Sequence, residues 1–106
     1  MYSATNDIRQ YSKPGNIPTK GCNSIYFENQ GNVTAIINNI WRIVPGDARS
    51  LNQLDPRVND DTLYYISFDQ TDPFSTGTTQ NLVVIPTFII DSSNKSGNAN
   101  ESGICN

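Results

Sequence analysis

The chain has 106 residues, of which 36% are apolar, and its seven basic and ten acidic residues leave a formal charge of −3 with no histidine. One domain is the most this length allows, and the acidic balance offers no attraction to nucleic acid or an anionic membrane. No apolar run approaches the roughly 18 residues of a membrane span.

Charge is unevenly spread. Residues 1–22 hold Arg9, Lys13 and Lys20 against Asp7, whereas the remainder is strongly acidic. With Pro14, Gly15, Pro18 and Gly21 and only scattered apolar groups, this segment reads as an extended, mildly basic arm that orders on a partner. Its removal is expected to leave the fold intact. Its start has no basic stretch followed by an apolar core, so the expectation is synthesis in the cytoplasm without export.

The domain proper is expected over residues 23–90. Residues 24–28 alternate, with Ile25 and Phe27 on one face and Tyr26 on the other. Val33-Thr34-Ala35-Ile36-Ile37 and Ile40-Trp41-Arg42-Ile43-Val44 flank Asn38-Asn39, and Asn tolerates the positive φ of a type I′ hairpin turn. Pro45-Gly46-Asp47 supplies the next turn, and a short weak strand follows over residues 48–51. Arg42 reads as an exposed strand charge; if covered, its expected partner is Asp47.

Residues 62–68 form the strongest strand pattern, with Tyr64, Ile66 and Phe68 on one face and Tyr65 on the other. Residues 69–80 read as a loop. A last strand begins at residue 81, should bend or become an edge at Pro86, and resumes through Phe88-Ile89-Ile90. From residue 91 the chain is mainly Ser, Asn and Gly, a flexible polar tail. The fold class expected is all-β: a small sandwich or partly open barrel of about six strands, with extended arms at both ends.

Chemistry-bearing constellations are scarce. Without histidine the usual general base, the Ser–His and Cys–His nucleophile pairs and the commonest zinc ligand are missing. Asp55, Asp60, Asp61, Asp69 and Asp72 all fall in predicted loops, where Asp forms turns. Asp60-Asp61 with Asp69 could ligate calcium only in a pattern unlike the EF-hand. Cys22 and Cys105 flank the β-rich region and could close a long loop, although cytoplasmic thiols usually stay reduced. The triplets beginning at Asn32, Asn94 and Asn100 match the glycosylation signal and, without export, go unused. The chain is therefore not expected to be an enzyme or to carry a cofactor.

Three stretches carry a family likeness: VTAIINNIWRIVPGD (residues 33–47), DDTLYYISFD (60–69) and LVVI (82–85). They resemble small virion-associated β-domains of tailed bacteriophages, including the crAss-like group. The resemblance implies an auxiliary capsid, decoration or head-fibre component, located in the virion and bound to the major capsid protein or other virion proteins. Homo-oligomers are expected, with Arg9, Lys13, Lys20, Tyr26, Tyr65, Phe88, Ile89 and Ile90 as candidate partner-binding residues. The competing expectation is a carbohydrate-binding module using Tyr26, Tyr65 and Trp41 as a platform.

Overall fold

The computed structural model describes residues 1–91; the expected polar tail, Cys105 and two of the three glycosylation triplets lie outside them. Nine strands are described: β1 (Tyr2–Asn6), β2 (Arg9–Tyr11), β3 (Gly15–Ile17), β4 (Ser24–Asn29), β5 (Thr34–Ile37), β6 (Trp41–Ile43), β7 (Ala48–Asn52), β8 (Tyr64–Asp69) and β9 (Leu82–Asp91). They form two antiparallel sheets, β1/β2-β9-β4-β7 and β3-β8-β5-β6. The architecture is a sandwich.

Its origin is one hairpin. Asn38 and Asn39 take φ of 54° and 62°, the left-handed pair a type I′ turn needs. From this tip the two halves of the chain pair outward in order: Ile37 with Trp41, Phe27 with Arg49, Gly15 with Ile66, Tyr2 with Asp91. The ribbon is then rolled so that β4 also meets β9 and β5 meets β8. This nesting is the connectivity of a jelly roll.

Asn38 does more than turn the chain, because its Oδ1 accepts the Tyr65 N–H at 2.7 Å and its own N–H donates to the Tyr65 carbonyl at 2.8 Å. Asn38→Ala is expected to cost about 2 kcal/mol, combining the lost bond with a strained φ. Asn39→Gly is expected to gain up to about 0.5 kcal/mol. Urea titration of both variants checks the pair.

The expected N-terminal arm is a correction. Residues 1–22 supply β1, β2 and β3, and so the outer strand of each sheet on one side of the sandwich. β1 and β2 pair with β9 in one continuous register and are a single strand interrupted at Asp7 and Ile8. Pro86 explains the interruption. Its carbonyl accepts the Asp7 N–H at 3.1 Å, so its own nitrogen, which has no hydrogen, faces that gap. Pro86 thus neither bends the strand nor makes it an edge; β9 runs ten residues as a central strand.

The core takes alternate residues from both sheets: Ile25, Phe27, Leu82 and Val84 from one, Ala35, Ile37, Ile43, Tyr64 and Ile66 from the other, with Trp41 and Phe68 packed at its margin. At its border Asn29, 1% exposed, donates from Nδ2 to the carbonyls of Val33 and Ile43, both at 2.8 Å, and its Oδ1 accepts the Gly31 N–H. One amide thereby ties β4 to the turn after it and to β6. Gly31 has no room for a Cβ, which would meet the Thr79 carbonyl oxygen. That close approach seats the long β8–β9 connection, which Asn32 also holds through bonds with Thr76 and Thr79.

Candidate assembly surfaces

Rolling the ribbon gathers the connections at two ends. The β2–β3, β4–β5, β6–β7 and β8–β9 connections share one end; the β3–β4, β5–β6 and β7–β8 connections share the other. Phe74 is the exposed large apolar residue of the first end, whereas Ile40, Leu54, Val58 and Leu63 are all exposed at the second. There Asn23 shapes the β7–β8 connection, its buried Nδ2 donating to the carbonyls of Asp55 and Val58 at 3.0 and 2.9 Å. Leu54 is left fully exposed. This is the end of the sandwich with more exposed aliphatic side chains.

Beside it lies a groove of about 430 Å³ between β3 and the start of β8, lined by Asn16, Ile17, Pro18, Leu63 and Tyr64. Beneath the groove Tyr64 donates its hydroxyl to Asp60 at 2.6 Å, and Asp60 also accepts the Thr62 N–H. Asp60 is buried, so the expectation of a solvated loop carboxylate is corrected there. Burial pushes the Asp60 carboxyl up, but the bonds from Tyr64 and Thr62 together hold it below the usual carboxylate range. A depressed folded value stabilises the protein above the ordinary pKa, and the stabilisation is lost as pH falls through the carboxylate range to the folded value. Tyr64→Phe is expected to cost about 1–2 kcal/mol at neutral pH and to flatten this acid limb, measured by urea midpoint against pH.

The other acids are engaged one by one. Asp55 forks with Arg57, which holds its carboxyl down to about 2. Asp69 and Asp72 both receive Arg42, at 3.2 and 2.7 Å, so Asp72 is a buried turn carboxylate and Arg42 a half-exposed charge. Asp47 bonds Arg49 instead of Arg42. Asp60 and Asp69 lie before and at the end of β8, separated by roughly 17 Å of strand, so they cannot share a calcium ion. Among the described residues no group of three or more His, Cys, Asp or Glu is placed to hold a metal.

The sequence-derived contact residues are dispersed. Arg9 is tied to Asp7 at 2.7 Å and to the Pro18 carbonyl at 2.6 Å, and is not a free docking charge. Lys13 and Lys20 are exposed, but at opposite ends of the sandwich, because β3 runs between them. Phe88 is buried against Cys22, a correction to its expected role in docking, while Ile89 and Ile90 are half-buried opposite Ala4 and Ser3. Tyr26 lies on the outer face of the β4 sheet with its hydroxyl on Glu28 at 2.6 Å; Tyr65 lies on the outer face of the opposite sheet. Trp41 points between them, edge-on to Phe27. The three aromatics therefore do not form one platform, which removes the basis for a sugar-binding face built from them.

No known protein family, curated protein or solved structure matches the chain. The surface described above therefore rests on geometry alone. Sequence reasoning missed Leu54 and Leu63 as contact candidates; the available signal was a large aliphatic residue inside an otherwise polar connection.

Proposed function

We propose that the chain is a structural component of a tailed-bacteriophage particle, an auxiliary capsid or head-fibre protein seated on the major capsid protein or another virion protein. The observation that carries this reading is the set of exposed aliphatic side chains, Ile40, Leu54, Val58 and Leu63, at one end of the sandwich. Jelly rolls build capsid domains and lectins alike, so the topology favours neither by itself. The separation of Tyr26 from Tyr65 favours the assembly role. Docking now falls to this end and to the open strand β7, exposed along all five residues, instead of an N-terminal arm.

Mass spectrometry of purified particles tests the reading. Stoichiometric amounts of the chain are expected, falling strongly for Leu54→Asp although that variant folds normally. Particles lacking the chain altogether would refute the assignment.

A further inference from the structure

We propose that the groove-bearing end of the sandwich is an interface between two copies of this chain, related by a two-fold axis. The inference rests on the assembly reading and divides its surface: Ile40 and Leu63 go to a second copy, and Leu54, Val58 and the open strand β7 are left for the virion partner. Two independent features of that end are self-complementary.

The first is shape. Ile40, 84% exposed, projects from the tip of the β5–β6 hairpin, and the groove lined by Ile17, Pro18 and Leu63 opens at the same end of the same sheet. A projection and a recess on one surface can satisfy each other only in a second copy, and a two-fold axis closes that contact without propagating it. Ile40 of each copy then enters the groove of its partner, covering Leu63 on the rim.

The second is charge. Among the described residues every charged side chain has an ion-pair or hydrogen-bond partner except Lys13, Lys20 and Asp61. Two of those three stand at this end. Lys20 and Asp61 are exposed on the β3–β4 and β7–β8 connections, which the bridge between Cys22 and Asp60 holds side by side. The surface thus carries one unpaired charge of each sign. A partner of uniform charge would be repelled by one of them, whereas a second copy turned through a two-fold sets Lys20 against Asp61 twice.

Sedimentation velocity of the full chain over micromolar to sub-millimolar concentrations tests this. A reversible monomer–dimer equilibrium is expected, abolished by Leu63→Asp. Lys20→Asp is expected to raise the dissociation constant about tenfold because two symmetric contacts change sign. Combining Lys20→Asp with Asp61→Lys should restore it. Both positions are exposed, and circular dichroism confirms that each variant folds. The inference is overturned if the wild-type chain stays monomeric throughout, if the dimer survives Leu63→Asp, or if the double reversal fails to restore it. A monomer that is still found in particles overturns this inference alone; a dimer absent from particles overturns only the phage assignment.

Discussion

Deletion of residues 1–22 is expected to abolish cooperative folding. The truncation removes β1, β2 and β3, opening one whole side of β9 and the outer side of β8. It also removes Ile17 and Cys22, which are 3% and 0% exposed. A ten-residue central strand would become a bare edge, prone to pair with other chains. The truncated chain should be insoluble or melt without a cooperative transition in circular dichroism. Ile17→Ala alone is expected to cost about 3 kcal/mol, giving a graded control. A truncated chain melting like the intact one would show that the N-terminal strands are dispensable.

Phe27→Ala is expected to lose about 4 kcal/mol, lowering Tm by about 20 °C. Phe27 comes from β4 in one sheet and is wholly buried. Its ring meets Trp41 edge-on at 5.8 Å and Tyr64 at 5.7 Å, both from the opposite sheet. Truncation leaves a cavity between the sheets and removes two edge-to-face contacts, each contributing about 0.5–1.5 kcal/mol beyond area burial. Phe27→Leu keeps most of the volume and should cost about 1.5 kcal/mol. Urea unfolding of the two variants measures the difference. A loss below about 1 kcal/mol for the alanine would mean that the sheets are not pinned at this point.

What could be read in advance followed from how each strand is covered. β4 and β8 have one buried face, so Ile25/Phe27 and Tyr64/Ile66 alternate with polar groups and the period of two is visible. The Asn38-Asn39 tip was readable because two runs rich in β-branched residues flank it. β1 carries no such signal: all five residues are exposed, and an edge strand held by its backbone ladder and one polar side-chain bond, Thr87 to Asn6, imposes no apolar pattern. Pro86 argued for a break because its missing donor is costly only where a partner strand continues; here the partner itself is interrupted. Tyr26 and Tyr65 were placed correctly within their strands, yet which sheet each strand joins is decided by distant pairings, so their separation was hidden. The same holds for Asp60, which bridges to the distant Cys22, and for Asp72, which accepts from Arg42 thirty residues away.

Amide hydrogen exchange on the full-length chain addresses the central claim, that the N-terminal segment is woven into both sheets of the sandwich and leaves one apolar end to find partners. Protection of residues 9–11 and 15–17 should match that of their partners in β9 and β8, while the β7–β8 connection around Leu54 exchanges rapidly. Fast exchange throughout residues 1–22, with β8 and β9 still protected, would contradict it.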